Sequence, residues 1–381
     1  MSIETTVTRA WQRKALWLWL LLPISWLYGL ITMLRRQAYK IGLLSSYRAP
    51  IPIMVIGNIS VGGSGKTPLI IALVDYLQDK GVEVGIISRG YGGDSSQMPA
   101  LVTAISLPNV VGDEPCLIVN MTGAGMAVCP DRQQAVTTLL DAYPDLQLII
   151  ADDGLQHYAL QRDIEWIVVD SARGFGNEQL LPTGFLREPM SRLQGTTVIY
   201  HEKLETGAIR NNKDNNMLPL ANHSTMHLMP DKLHHLWQPE PTGTNKTNAK
   251  VNNIGMPEKG SQVHAVSGIG YPQRFFDTLG SIGFEVIGHP YPDHYDFSLA
   301  ELLQYSDYPI VVTSKDAVKI RALLSAYIAA QVLSDEYIEL VSRLWVLPVT
   351  AILSDSCYDN LDEQLKTLGI QSDTDIRMKT T

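Results

Sequence analysis

Short apolar runs, rich in β-branched residues, alternate with helix-like amphipathic stretches along most of the chain. Residues 53–56 form the first such run, residues 69–77 then carry apolar side chains at helical spacing, and residues 82–87 form a second run. Continuous apolar runs of this length are typical of parallel strands that helices cover on both faces. The pattern therefore predicts an α/β fold built on a mostly parallel sheet.

A longer apolar run without any charge occupies residues 15–34. Its length is sufficient to cross the hydrocarbon core of a bilayer, and basic residues flank it on both sides. It carries four aromatic residues of the type that anchor at membrane interfaces, Trp17, Trp19, Trp26 and Tyr28. A polar stripe through Ser25, Gly29 and Thr32, and a bend predicted at Pro23, fit a helix that spans the membrane or lies in its interface. The alternative is a buried helix of a soluble domain.

The second half of the chain begins with a polar stretch. Residues 205–262 are rich in Asn, Thr, Pro and Lys and weakly apolar, and their later half predicts a surface loop or partly disordered insertion; no functional site is expected in this segment. From residue 263 onward, strands and helices alternate again and predict a second, smaller α/β domain. The chain is predicted to have four segments. They are an apolar helix with a basic flank at residues 1–48, a nucleotide-binding domain at 49–204, the polar insertion at 205–262 and the second domain at 263–381.

Composition narrows the function classes. The 381 residues carry a formal net charge of −9, which disfavours general nucleic-acid binding because a polyanion would be repelled. The three cysteines, Cys116, Cys129 and Cys357, have no paired metal-binding spacing and form no even set. They predict reduced thiols in a cytosolic chain, and no chemistry is assigned to them.

A glycine-rich segment between the first predicted strand and helix is the first candidate for chemistry. Its residues form a candidate nucleotide-binding loop: Ser60, Val61, Gly62, Gly63, Ser64, Gly65, Lys66 and Thr67. Glycines let successive N–H groups turn towards an anion, and the following helix adds its positive end. Lys66 would reach the β- and γ-phosphates, and the Thr67 hydroxyl would bind Mg²⁺. The general motif expects glycine where Ser60 stands, so a plain glycine-rich turn is the alternative.

Carboxylates and an arginine follow two later strands. The apolar residues 146–151 run directly into Asp152 and Asp153, an arrangement by which phosphate-loop NTPases hold Mg²⁺. A loop rich in Pro and Gly then carries Arg187 and Glu188, which could clamp phosphate and metal. Taken alone, each pair could also be a helix cap or a solvated turn.

Further blocks of residues accompany the glycine-rich loop along the chain. They are Gly57-Asn58 before the loop, Ser88-Arg89-Gly90-Tyr91-Gly92, Val111-Gly112-Asp113-Glu114-Pro115, Asp152-Asp153-Gly154-Leu155-Gln156-His157, Leu181-Pro182 with Gly184, Leu186-Arg187-Glu188-Pro189, Pro292-Asp293-His294 and Lys315-Asp316-Ala317-Val318-Lys319. In these blocks the chain resembles the tetraacyldisaccharide 4'-kinase family, the lipid A 4'-kinases of Gram-negative bacteria. The resemblance covers most of the chain and accounts for Ser60, because the family loop commonly lacks the first glycine. Two positions depart from the family pattern, namely Tyr271, where Asn is usual, and Ser314, where Glu is usual.

The resemblance implies transfer of the γ-phosphoryl group of ATP to the 4'-hydroxyl of a tetraacyldisaccharide 1-phosphate. It implies that Asp113 is the base and that His294, from the second domain, is its partner. Lys66 and Arg187 would neutralise the phosphoryl group. The implied Mg²⁺ ligands are Thr67, one of Asp152 and Asp153, and Glu188.

The implied partners are the glycolipid substrate and the membrane surface, with no nucleic acid and no obligate protein partner. The enzyme would act at the cytoplasmic face of the bacterial inner membrane, anchored by its apolar helix.

Two other classes of protein remain as hypotheses. A nucleotide-gated switch or partitioning ATPase could use the same loop to bind a partner, and a membrane-anchored scaffold could carry a vestigial loop. Residues 245–248, Asn-Lys-Thr-Asn, lack the Asp that a guanine-specific motif requires. Phosphorylation of a glycolipid acceptor would distinguish a kinase from both alternatives.

Overall fold

The computed structural model describes residues 7, 10, 11, 13, 15–203, 223–237, 256–330 and 334–370. Residues 245–248 lie outside these ranges. The strands are β1 Ile53–Gly57, β2 Val84–Ser88, β3 Ala100–Val102, β4 Met126–Val128, β5 Leu148–Asp152, β6 Ile164–Asp170, β7 Thr197–Glu202, β8 His223–Pro230, β9 His234–His235, β10 Gln262–Ser267, β11 Glu285–Pro290, β12 Ile310–Thr313, β13 Leu344–Leu347 and β14 Val349–Leu353. The α-helices are α1 Leu22–Lys40, α2 Lys66–Asp79, α3 Pro108–Val111, α4 Asp113–Thr122, α5 Arg132–Ala142, α6 Pro272–Ser281, α7 Leu299–Leu303, α8 Ser314–Ala329, α9 Asp335–Ser342 and α10 Asp355–Thr367. Short 3-10 helices cover Leu16–Leu21, Ser95–Gln97 and Met190–Leu193.

Two sheets organise the described residues. The larger has nine strands in the order β14-β8-β7-β6-β1-β5-β2-β4-β3, and its strands are parallel except β3 and β14 at its edges. The smaller has five strands in the order β11-β10-β12-β13-β9, with β9 antiparallel to β13. We call the larger sheet with its helices the first lobe and the smaller sheet with its helices the second lobe. The predicted α/β fold with mostly parallel strands is confirmed.

The central strands of the first lobe are buried along their whole length. Every residue of β1, β2 and β5 is buried, because helices cover both faces of the sheet. One face packs against α2 through Leu69 and Leu73, and the other packs against α5 through Val136 and Leu139. This packing fixes the carboxyl ends of the strands, where the candidate site residues lie.

The division of the chain between the two sheets does not follow the predicted boundaries at residues 205 and 263. Strand β8 lies inside the predicted polar insertion, yet it pairs with β7 in the first lobe. Met226 is buried in the core of that lobe and Leu228 packs against it, although the overall composition of the segment is polar. After β13 the chain returns to the first lobe as β14 and α10, whose Leu361 is buried in that core.

The apolar segment near the amino terminus forms the 3-10 helix and then α1. Pro23 lies in the first turn of α1, where its missing N–H costs nothing, so the helix begins there rather than bending. Within the described residues, Leu16–Lys40 is long and apolar enough to cross a membrane. Leu16 is 84% exposed and Trp26 is 69% exposed, which argues against the alternative of a buried core helix.

Candidate active site

The phosphate loop, residues 60–67, joins the end of β1 to the start of α2, in the predicted order of strand, loop and helix. Gly62 and Gly65 have φ angles of 98° and 94°, in the left-handed region that side chains resist. A Cβ atom at position 65 would also lie 2.7 Å from the His201 Nδ1 atom. Both geometry and space therefore require glycine here, and the N–H groups of the loop precede the positive end of α2.

Side chains and a neighbouring loop hold the phosphate loop in place. The Asn58 amide donates to the Gly62 carbonyl at 3.1 Å, and the Val61 N–H donates to the Phe185 carbonyl at 2.9 Å. Arg173 donates to the Val61 carbonyl at 3.0 Å. Sequence reasoning missed Arg173, because a single arginine in a turn carries no local motif.

Asp152 is the last residue of β5 and Asp153 follows it, and β5 pairs directly with β1. This neighbour relation brings Asp153 to the phosphate loop, where its carboxylate lies 3.3 Å from Lys66 Nζ. Arg187 Nη1 lies 3.2 Å from the other Asp153 oxygen. Burial would raise the pKa of Asp153, but the cations of Lys66 and Arg187 outweigh it and lower that pKa. Two predicted phosphate-binding cations and one predicted metal ligand therefore form one network.

Asp152 has the properties of a metal ligand. It is buried, one oxygen accepts from Ser88 Oγ at 3.2 Å, and the other has no hydrogen-bond partner. Burial and the nearby carboxylates of Glu114 and Asp153 raise the Asp152 pKa to about 7. A buried carboxylate oxygen without a donor suits a hard cation such as Mg²⁺.

Within the described residues, no group of three or more His, Cys, Asp or Glu side chains could hold a metal by itself. Mg²⁺ commonly binds through one or two protein oxygens together with nucleotide phosphates and water. Asp152 and the Thr67 hydroxyl at the start of α2 fit this smaller set of ligands.

Glu188 was predicted as a Mg²⁺ ligand, but in the structure its carboxylate takes part in a separate network of hydrogen bonds. Its oxygens accept from Gln156 at 2.9 Å, from the Tyr158 hydroxyl at 2.7 Å and from Arg192 at 2.8 Å. The side chain is buried among these donors. The contacts favour a structural role in holding the loop that carries Arg187, and they do not support Glu188 as a Mg²⁺ ligand.

Asp113 and His294 meet across the cleft between the lobes. Asp113 begins α4 and is buried, and His294 lies on the loop after β11 with a left-handed φ of 58°. The His294 Nδ1 atom lies 3.0 and 3.1 Å from the two oxygens of Asp113. The ring of Tyr91 packs edge-on against His294, with 4.9 Å between ring centres. The predicted pair is thus in hydrogen-bond contact, although 181 residues separate its members.

Two lysines that sequence reasoning left without a role complete this cluster. Lys319 Nζ lies 3.3 Å from Asp113 Oδ2, and Lys315 Nζ lies 3.0 Å from Glu114. Burial would raise the pKa of Asp113, but the hydrogen bond from His294 and the two lysine charges outweigh it and lower that pKa to about 2. The lysines are four residues apart on α8 and so share one face of the helix, which is the sequence signal that could have found them.

A glycine-rich loop of the second lobe also approaches the phosphate loop. A Cβ atom at Gly270 would lie 3.7 Å from the Gly63 nitrogen and 3.2 Å from Asp293. The Asp113–His294 pair and the phosphate loop therefore border one cleft.

Comparison with known proteins agrees with this geometry. The family model described as LpxK, tetraacyldisaccharide-1-P 4'-kinase, matches residues 17–366. The chain belongs to this family. A tetraacyldisaccharide 4'-kinase of Psychrobacter cryohalolentis is 72% identical over 374 residues, covering 97% of this chain and 98% of the relative. That of Ectopseudomonas mendocina is 38% identical, covering 97% and 99%.

Among solved structures, the crystal structure of LpxK from Aquifex aeolicus in complex with ATP superposes with a TM-score of 0.63 at 24% identity. The match covers 91% of this chain and 98% of that one. It shows the shared fold, including both lobes. Together with the family match, it identifies the chain as a kinase of lipid A biosynthesis and confirms the resemblance inferred from the sequence blocks.

Proposed function

We propose that this member of the tetraacyldisaccharide 4'-kinase family transfers the γ-phosphoryl group of ATP to the 4'-hydroxyl of a tetraacyldisaccharide 1-phosphate. The contact between Asp113 and His294 at the cleft that the phosphate loop borders carries the proposal. A switch ATPase needs a phosphate loop but has no need of a base supplied jointly by two lobes. The Aquifex aeolicus protein was crystallised in complex with ATP, which supports ATP as the phosphoryl donor.

Phosphoryl transfer mainly requires positioning and charge neutralisation, because the transition state is loose and its charge is spread over the equatorial oxygens. Lys66 and Arg187, both held by Asp153, supply positive charge at the phosphate loop. The N–H groups of the loop add fixed dipoles that need no reorganisation during the reaction. We assign phosphate neutralisation to this set.

We assign Mg²⁺ binding to Thr67 and Asp152. The Oδ1 atom of each aspartate is buried without a hydrogen-bond donor, but the oxygens of Asp153 pair with Lys66 and Arg187, whereas no salt bridge to Asp152 is present among the described residues. Mg²⁺ bound there would neutralise charge on the β- and γ-phosphates. Ser88 and the buried Arg132, which donates to the Asp152 carbonyl at 3.2 Å, orient this ligand.

Asp113 is assigned the role of base for the sugar hydroxyl. A carboxylate whose pKa lies at about 2 is a weak base, so early proton removal would be inefficient. In a loose transition state the hydroxyl becomes acidic only as its bond to phosphorus forms, and a weak, fully ionised carboxylate suffices then. Asp113 therefore orients the hydroxyl first and accepts its proton late, while His294 holds the carboxylate.

The apolar face of α1 would bring the enzyme to its acylated substrate. Its exposed aromatic and aliphatic side chains match a membrane surface. We assign the cleft to the cytoplasmic side of the inner membrane, because that is where ATP is available. The glycolipid and the membrane are the partners proposed, with neither nucleic acid nor an obligate protein partner.

The test is to incubate detergent-solubilised protein with ATP, Mg²⁺ and the disaccharide 1-phosphate. We expect one phosphorylated lipid per ADP formed, and little ADP without the lipid. ADP release that is independent of the lipid, with no phosphorylated lipid, would favour the switch ATPase instead.

A further inference from the structure

Lys315 contacts the His294 ring at Nε2, the nitrogen that does not face Asp113. It lies in the first turn of α8, and its Nζ atom is 3.2 Å from His294 Nε2, 3.0 Å from Glu114 Oε1 and 3.2 Å from Asp293 Oδ1. Its side chain is 15% exposed. Three acceptors therefore surround an ammonium group that has three N–H donors.

This geometry determines the direction of the hydrogen bonds. Burial disfavours the Lys315 ammonium, but the carboxylates of Glu114, Asp113 and Asp293 outweigh it and raise the Lys315 pKa. Lys315 is therefore charged and can only donate. His294 Nε2 must then accept, which places the ring proton on Nδ1, 3.0 Å from Asp113 Oδ2.

We propose that Lys315 is a positioning residue that fixes the tautomer of His294, so that Nδ1–H always points at the Asp113 carboxylate. The inference rests on the proposed function, in which Asp113 is the base and His294 holds its carboxylate. Without Lys315, the neutral ring could carry its proton on either nitrogen. In the second tautomer Nδ1 would present a lone pair to a carboxylate, and the contact would become repulsive.

The same turn of α8 also fixes the backbone of His294. Asp316 is buried, and its carboxylate accepts from the Gly268 N–H at 3.1 Å and from the Thr313 hydroxyl at 2.6 Å. The Gly268 carbonyl in turn accepts from the His294 N–H at 3.1 Å. A left-handed non-glycine residue needs such support, because side chains disfavour that backbone conformation. Adjacent residues of one helix thus set both the ring proton and the backbone of His294.

A direct role for Lys315 in binding the substrate phosphate is less compatible with its contacts. All three of its donors already have acceptors, so a phosphate oxygen would have to displace Glu114, Asp293 or His294. The neighbouring Lys319 offers a matched control, because it has the same charge and the same helix face. Lys319 contacts Asp113 Oδ2 at 3.3 Å and the Tyr295 carbonyl at 2.9 Å, and no contact joins it to His294.

The first test measures the tautomer directly by ¹⁵N NMR of the imidazole nitrogens. The chain has nine histidines, and the signal of His294 is assigned by its loss in the His294→Gln protein. We expect a protonated Nδ1 and an unprotonated Nε2 in the unaltered protein. A protonated Nε2 in this neutral ring would overturn the proposal, whichever hydroxyl proves to be the phosphoryl acceptor.

The second test compares Lys315→Met with Lys319→Met. We expect Lys315→Met to shift the His294 signals towards the other tautomer and to lower kcat about tenfold, with the KM for ATP unchanged. Lys319→Met should lower kcat without changing the tautomer, and Lys315→Arg, which keeps charge and donors, should recover part of the rate. An unchanged tautomer in Lys315→Met, or a rate loss that multiplies fully with that of His294→Ala, would contradict the proposal.

Discussion

The charged residues of the site are held in position by oppositely charged neighbours, in a region partly shielded from water. Asp153 holds Lys66 and Arg187, and Asp113 is held by His294 and Lys319. Charges arranged in advance of the reaction are more effective than charges that must reorient during it. Substituting any one of these residues therefore removes one member of a defined contact.

Lys66→Ala should lower kcat by at least about a hundredfold while leaving the fold intact, because it removes a cation at the γ-phosphate. Thr67→Ala should lose activity to a similar degree through loss of a metal ligand. Steady-state kinetics measure the losses, and circular dichroism checks the fold. Lys366→Ala, an exposed lysine at the end of α10, is the control for removing a positive charge. Near-normal activity in the Lys66 variant would disprove the assignment of the phosphate loop.

The Asp113 and His294 substitutions should not be additive. If the two side chains act as a unit, the double alanine variant should be barely slower than Asp113→Ala alone. Asp113→Ala should still bind ATP, because Asp113 contacts the second lobe rather than the phosphate loop. Rate losses that multiply fully would show independent roles, and failure to bind ATP would place Asp113 in the nucleotide site instead.

Local sequence motifs predict the position of a single residue well, but they predict its contacts with distant residues poorly. Lys66 and Asp152 could be placed from the sequence because a strand, a loop and a helix define their surroundings within a few residues. Lys315 reaches Glu114 across 201 residues, so only the folded chain shows what it contacts. Glu188 as a Mg²⁺ ligand stays a prediction from the sequence, and only the folded chain shows that donors surround this carboxylate.

Among the elements, α1 has two faces with different contacts. Most of its apolar side chains are exposed, but Ser25 is buried and exchanges hydrogen bonds with Thr183, with 2.8 Å between their hydroxyl oxygens. The Tyr28 hydroxyl donates to the Arg187 carbonyl at 3.0 Å. Ser25 of the predicted polar stripe and Tyr28, which was predicted as a membrane anchor, therefore both pack against the loop that carries Arg187. Deleting residues 1–34 would remove these contacts together with the membrane face, so single substitutions separate the two effects better.

Tyr28→Phe should lower kcat about threefold to tenfold, the equivalent of one hydrogen bond, and should leave membrane association unchanged. Trp26→Ala, on the exposed face, should weaken association with vesicles and leave kcat in detergent unchanged. Vesicle sedimentation and detergent kinetics provide the two measurements. Release of Tyr28→Phe from vesicles at full kcat would show that this face of α1 serves the membrane and not the loop.

Over the whole molecule, the two lobes are connected by chain crossings and by ion pairs such as Arg274–Asp170. The chain crosses between the sheets after β8 and again after β13, where the Asp231 N–H donates to the Pro348 carbonyl at 3.0 Å. The alternating strands and helices predicted two α/β units, and two sheets are present. The return of β14 and α10 to the first lobe could not be predicted, because a strand's partner depends on distant pairing rather than on its own sequence.

Arg274→Met should destabilise the molecule by about 2 kcal/mol. Arg274 lies 2.9 Å from both oxygens of Asp170, whose side chain is 4% exposed, so its loss would leave a buried charge unpaired. The cost is below that of a fully buried pair because Arg274 is 24% exposed. Urea unfolding measures the change, and Asp170→Asn in the same chain should restore part of it. No recovery in the double variant would indicate that Arg274 stabilises by packing instead.

In the proposed reaction, the cleft between the lobes phosphorylates one defined hydroxyl of a membrane glycolipid. The most direct measurement supplies ATP, Mg²⁺ and either the disaccharide 1-phosphate or its 4'-deoxy analogue, and locates the new phosphate by mass spectrometry and ³¹P NMR. We expect a single 4'-phosphate on the first lipid and no transfer to the analogue. Phosphate on another hydroxyl, or equal transfer to the 4'-deoxy lipid, would contradict the proposal.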